Sequence, residues 1–163
     1  MGLNIKNETG KLVTVVLGIA EDMGKPPSIE DCIDPKTKEN LINNTYPKEE
    51  DCIHEIENFN NILLRNGVEV LRPNNIQDLN QIFTRDIAFV IEDKLFIPDI
   101  IKERNKEKDG IKYLLDNFEK DEKIIIPEDI NIEGGDIIIH NDYIFIGYSN
   151  DDKLKVSRTS PKS

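Results

Sequence analysis

The order helix, strand, acidic turn, hairpin runs twice through this chain, and that repetition restricts the folds open to it. Residues 47–66 carry the first helix. Cys52, Ile56, Phe59 and Leu63 recur at spacings of four, three and four, which makes one apolar stripe. Pro47 suits a first turn, where its missing N–H would have no intrahelical partner. Glu49, Glu50 and Asp51 sit at the positive end of the helix dipole and Arg65 at the negative end. Asn66-Gly67 supplies a left-handed stop. Val68–Leu71 is a short strand closed by Pro73, and Asp86–Ile91 with Lys94–Ile97 reads as a hairpin around Glu92-Asp93. In the second round, Ile101–Phe118 is partly helical, with Ile111, Leu114, Leu115 and Phe118 as its stripe. Asp109-Gly110 caps or interrupts that helix. Ile124–Ile126 is a strand stopped by Pro127, and Asp136–Ile139 with Tyr143–Ile146 forms the second hairpin around His140-Asn141-Asp142.

Two elements precede the repeat. Leu12–Gly18 is apolar on both faces and reads as a buried strand ending at a glycine turn. Residues 19–46 show no clear period and carry Pro26, Pro27 and Pro35, the pattern of a long loop or lid. Phe83-Thr84-Arg85-Asp86 opens the first hairpin and Glu133-Gly134-Gly135-Asp136 the second, so Asp86 and Asp136 stand 50 residues apart. A period of this size assigns one supersecondary unit to each repeat. In a radial arrangement the equivalent turns point to one centre, and Asp86 and Asp136 converge. Two such units cannot close a ring. The expected fold is therefore an incomplete α+β one, a single partial domain over residues 1–163.

The net charge of -11 opposes binding to a phosphate backbone, so nucleic acid is not an expected partner. The same charge could steer a cationic small molecule, or serve solubility alone. No stretch resembles a signal peptide or is apolar enough to span a bilayer, and Lys6 stands where a myristoylation site wants Ser or Thr. With only two cysteines, Cys32 and Cys52, the chain fits a reducing compartment. A cytoplasmic protein without membrane contact, metal or cofactor is expected.

A guanidinium is planar, cationic and rich in N–H donors, and carboxylates match it in charge and fork geometry. Asp86, Glu133 and Asp136 are placed to line such a pocket if the repeat holds. The glycines of Glu133-Gly134-Gly135-Asp136 permit unusual backbone angles and close approach of a ligand. The plainer alternative is a pair of tight turns whose acids only cap local backbone.

Phe83-Thr84-Arg85-Asp86 and Ile132-Glu133-Gly134-Gly135-Asp136 are similar to two signature segments of the pentein superfamily. That group includes arginine deiminases, dimethylarginine dimethylaminohydrolases and amidinotransferases. Asn7-Glu8-Thr9-Gly10-Lys11-Leu12, leading into Val15-Val16-Leu17-Gly18, resembles their first strand. Gly147-Tyr148-Ser149 and Ser157-Arg158-Thr159 resemble the segment after the acidic turn. The resemblance runs from about Asn7 to Thr159. It implies an α/β propeller of ββαβ units, of which this chain would hold about half of a five-bladed barrel. It also implies a cysteine thiolate attacking a guanidinium carbon while a histidine protonates the departing amine. By the same resemblance Asp86 grips the substrate guanidinium. Glu133 orients the histidine or shares the substrate contact, and Asp136 steadies the turn or touches substrate. Arg158 binds the substrate carboxylate, with Arg104 a second candidate for that role. Arg85 is a structural ion-pair partner.

The catalytic histidine and cysteine of the resemblance are expected beyond this chain. Residues 160–163 do not continue the pattern and read as a foreign tail left by truncation or frameshift. Cys52 belongs to the helix stripe, and His54, two residues on, points to another face. Cys32 sits among acids in the long loop, and His140 in an exposed turn. The chain alone is thus expected to be inactive. It is read as a fragment of an enzyme that hydrolyses or transfers the amidino group of arginine or a related guanidino compound. The other reading is a non-catalytic binding or interaction module on the same fold. Uncovered sheet edges are expected to favour self-association.

Overall fold

The computed structural model describes residues 2–32, 35–128, 130–148 and 160–161; for the last two, the backbone alone. Among the described residues short strands and helices mix, and the strands form four small sheets. Strand β1 (Thr14–Val16) pairs in parallel with β2 (Glu69–Leu71), with Thr14 opposite Glu69. Helices α1 (Pro35–Ile42) and α2 (Glu49–Arg65) fill the crossover. A single helical turn, α3 (Thr84–Ile87), leads into β3 (Phe89–Ile91), which forms an antiparallel hairpin with β4 (Lys94–Ile97). A 3-10 turn at Lys102–Arg104 follows, then α4 (Glu107–Gly110) and α5 (Lys112–Leu115). Strand β5 (Lys123–Ile125) returns parallel to β4, which completes one ββαβ unit. After β6 (Ile130–Asn131) comes a second 3-10 turn, Gly134–Asp136, and a hairpin of β7 (Ile137–His140) and β8 (Tyr143–Ile146). No closed barrel forms among the described residues.

Several expectations shift. The strand expected over Leu12–Gly18 shrinks to three half-buried residues, because Leu12 and Val13 are exposed and β1 has one partner. The stretch 19–46 is not all loop, since α1 lies within it. No residue of α1 is buried, so no apolar stripe announced it. The stripe of α2 is also only partly buried: Leu63 is buried (7% exposed) but Phe59 is half exposed (50%). Glu57 accepts from Arg72 Nη1 at 2.8 Å, and this bond holds its carboxyl below the usual range. Within the stretch expected to be a non-matching tail, β9 (Ser160–Pro161) pairs antiparallel with β6.

Two apolar clusters hold the elements together. Phe89, Ile132, Ile137 and Ile139 form one, joined by Ile5, Ile91, Phe96 and Ile126, and it lies between the β3–β4–β5 sheet and the β7–β8 hairpin. Ile87, Ile100 and Ile111 form the other, with Val16, Leu114 and Leu115 against it. Ile87 in α3 belongs to the second cluster and Phe89 in β3 to the first. The acidic turn at Asp86 is therefore pinned from both sides. The N-terminal segment bridges the two hairpins: Ile5 exchanges backbone bonds with Glu92, and Asn141 N–H donates to the Lys6 carbonyl at 2.7 Å. Strand β8 is different. Tyr143, Ile144, Phe145 and Ile146 are all exposed, on both faces of an edge strand.

The unevenly buried stripe makes a direct prediction. Leu63→Ala should destabilise the chain by about 2–5 kcal/mol, as core truncations do. Phe59→Ala should stay within about 1 kcal/mol, as surface changes do. Urea melts of the two variants measure the difference, and equal losses would show that the stripe faces the core throughout.

Candidate functional site

The two acidic turns meet. Arg85 of α3 donates from Nε to the Gly134 carbonyl at 2.9 Å and from Nη2 to the Ile137 carbonyl at 3.0 Å. The same Nη2 reaches Glu8 at 2.8 Å, so Arg85 is the structural ion-pair partner it was expected to be. In return, Gly135 N–H donates to Asp86 Oδ1 at 3.1 Å. The two segments are thus stitched in both directions. The glycines are a geometric necessity here. A Cβ on Gly134 would collide with the Arg85 carbonyl, and one on Gly135 with the Asp86 carboxylate.

Arg104, at the end of its 3-10 turn, reaches into this junction. Its Nη1 donates to Asp86 Oδ2 at 2.9 Å and to Glu133 Oε2 at 3.2 Å. Its Nε and Nη2 meet the two oxygens of Glu107 at 2.7 Å each, a bidentate pair. The whole group is withdrawn from solvent. Side-chain exposure is 13% for Arg104 and Asp86, 6% for Glu107 and 3% for Glu133. Burial alone would lower the arginine's pKa. The hydrogen bond and charge of Glu107, then those of Asp86 and Glu133, outweigh it and hold the guanidinium above its ordinary value. With every group ionised, three negative charges face one positive charge.

The structure thus brings together Asp86, Glu133 and Arg104. Asp136 belongs to the same turn: its N–H donates to the Glu133 carbonyl at 3.0 Å, and its own carbonyl accepts from Gly147 N–H at 2.9 Å. Arg158 lies outside the described residues. Glu107 escaped the sequence reading. Its one signal was the spacing of three from Arg104 in a helical stretch, which places two side chains on one face.

Other candidates lie apart from this cluster. Cys52 is half-buried on α2, and burial, then Glu55, Asp51 and Glu49, push its thiol up, the reverse of activation. His140 is exposed at the β7–β8 turn, as expected. Among the described residues no group of three or more His, Cys, Asp or Glu is placed to hold a metal ion. Among them, too, no helix is long and apolar enough to cross a membrane. A cavity of about 370 Å³ is lined by Ile19, Glu21, Glu57, Arg72, Pro73 and Asn75, and by none of the Arg104 cluster. The buried carboxylates, not the open cavity, concentrate the chemistry.

A family model described as eukaryotic N,N dimethylarginine dimethylhydrolase matches residues 31–159. The chain belongs to this pentein family. An uncharacterized protein of Bacillus subtilis strain 168, YkgA, is 31% identical over 124 residues, which is 69% of this chain and 42% of YkgA. Among solved structures, the SxtG amidinotransferase of Microseira wollei, from the saxitoxin biosynthetic pathway, superposes with a TM-score of 0.66 at 16% identity. It covers 98% of this chain and 56% of its own. A mutant dimethylarginine dimethylaminohydrolase of Pseudomonas aeruginosa, complexed with citrulline, superposes with a TM-score of 0.61 at 15% identity, over 85% of this chain and 51% of its own. These structural likenesses establish the fold. The chain of this pentein family spans about half the length of these three relatives.

Two predictions follow from the site's geometry. Gly134→Ala should destabilise the chain by about 1–3 kcal/mol, because a new methyl must displace backbone; an unchanged melting temperature would mean that the two turns do not approach so closely. Cys52 should be alkylated by iodoacetamide at pH 8 more slowly than free cysteine, since a raised thiol pKa leaves less thiolate. Peptide mapping by mass spectrometry reads that rate, and a faster rate would mark Cys52 as activated.

Proposed function

We propose that this chain is the guanidinium-binding part of an enzyme acting on arginine or a related guanidino compound, which it hydrolyses or whose amidino group it transfers. The observation that carries the reading is that Asp86 and Glu133 already share the two N–H bonds of one guanidinium nitrogen. Two carboxylates in that relation suit a cationic group with paired N–H donors, which a substrate guanidinium supplies. Asp86 grips the substrate guanidinium. Glu133 shares the contact or orients the proton donor, and Asp136 holds the turn that presents Glu133. Arg158 takes the substrate carboxylate.

The chemistry itself is nucleophilic. A cysteine thiolate attacks the guanidinium carbon, the C–N bond to the amine breaks, and a histidine supplies the amine's proton. The resulting amidino-thioether passes to water in a hydrolase or to an acceptor amine in a transferase. Neither thiol present here is given the nucleophile's role. Cys52 has its pKa pushed the wrong way, and Cys32 lies in the segment before α1. The nucleophile and proton donor are assigned to the part of the longer relatives that this chain does not match.

Titration calorimetry of L-arginine and agmatine into the chain and its Asp86→Asn variant tests the binding role. Binding should weaken at least about tenfold in the variant, the effect of losing about 1.4 kcal/mol. Equal heats in both proteins, or no heat from either ligand, would sink the proposal.

A further inference from the structure

Two charged groups outside the acidic turns are left unanswered. Glu21 Oε2 and Arg72 Nε are both closed to bulk water, and neither meets a hydrogen-bonding partner among the described residues. A polar atom left in that state opposes folding, so each calls for a partner. Both residues line the same cavity of about 370 Å³. That volume lies within the range of small-molecule sites, about 300–1,000 Å³. A single water needs only about 10–15 Å³.

The walls of this cavity are held from several sides. Glu21 lies between two backbone ties: Ile19 N–H donates to the Gln81 carbonyl at 3.2 Å, and Leu79 N–H donates to the Asp22 carbonyl at 3.1 Å. Asn75 Nδ2 adds a bond to Asp22 Oδ2 at 2.8 Å. Across the cavity, the Arg72 carbonyl accepts from the Tyr113 hydroxyl at 2.6 Å, and Arg72 Nη1 donates to Glu57 at 2.8 Å. Glu57 thus fixes the guanidinium and occupies one of its nitrogens. The Nε–Nη2 edge has no acceptor among the described residues, and such an edge holds a carboxylate bidentately. The Arg72 side chain is 25% exposed, so its guanidinium can be reached. Ile19 and Pro73 add apolar wall beside the two charges.

A cation alone would answer Glu21 and leave Arg72 open, and an anion alone would do the reverse. We propose that this cavity binds a small zwitterionic α-amino acid. Its carboxylate sits on the Nε–Nη2 edge of Arg72, its ammonium on Glu21, and its side chain against Ile19 and Pro73. A ligand of zero net charge also enters a chain of net charge -11 without the repulsion that an anion meets. No residue of the Arg104 cluster takes part, and no guanidino group is needed, so the proposal does not depend on the substrate reading.

The test is two-dimensional amide NMR of the full chain at neutral pH, titrated with L-valine. Isovalerate, which lacks the ammonium, and isobutylamine, which lacks the carboxylate, are the controls. Valine should move the Glu21 and Arg72 amide signals to saturation with a Kd of about 1 mM, and each control should bind at least about tenfold more weakly. Glu21→Gln keeps the side chain's size and removes its charge; it should weaken valine at least about tenfold. Should that variant lose its dispersed spectrum, Arg72→Lys reads the other end. It keeps a cation for Glu57, gives up the fork, and should weaken valine by a similar factor. No movement of these signals at tens of millimolar valine overturns the proposal. So does binding of either control as tight as valine's, because one charge would then suffice. Unchanged affinity in a folded variant, or movement centred on Asp86 and Gly135 instead, overturns it as well.

Discussion

The guanidinium of Arg104 is the point on which the arrangement of this chain depends. Asp86, Glu107 and Glu133 lie on segments separated by up to 47 positions, yet their carboxylates share one buried cation. Bringing three carboxylates together away from water is strongly unfavourable unless a cation answers them with good geometry. Arg104 does so with four of its five N–H bonds, and its own pKa is raised because those contacts outweigh the cost of burial. A buried network of this kind contributes less to net stability than to uniqueness, because a displaced member leaves a charge unanswered.

Around that network the backbone supplies the precision. Arg85 and Asp86 are adjacent in sequence and act in opposite senses: the first donates to the carbonyls of the second turn, and the second accepts from its amide. Gly134 and Gly135 are the residues that allow this approach. Ile87 and Phe89 anchor the same short segment in two different apolar clusters. A polar junction held between two cores cannot drift without disturbing both. The ββαβ unit of β3, β4, α4–α5 and β5 is complete, and the β7–β8 hairpin that follows it leaves the apolar side chains of β8 exposed.

Much of the site was legible before any coordinates. The recurrence of an acid before each hairpin, with glycines beside the second, named Asp86, Glu133 and Asp136 and anticipated that their turns would meet. Hairpins and acidic turns are local features, written in alternation and in turn residues. Less was legible wherever tertiary contacts overrode local pattern. Helix α1 buries nothing, so it left no periodic trace. Phe59 completes an apolar stripe on paper, but in the fold it is half exposed, whereas Leu63 on the same stripe is buried. Glu107 was missed because a glutamate three residues after an arginine is usually an ordinary surface pair. Its burial, which makes it a clamp, is a property of what packs over it.

The sequence by itself determined the two hairpins, the acids that open each of them and the family. These follow from side-chain period, turn chemistry and motif spacing, all of which act over a few residues. Only the tertiary structure decided which charges meet. Coulomb energy and hydrogen-bond geometry act through space, and the distances that matter here, 2.7 to 3.2 Å between Arg104 and three carboxylates, are set by the packing of two apolar clusters. The same four residues spread along an unfolded chain would be ordinary solvated charges. Folding turns them into one buried cluster around the guanidinium of Arg104.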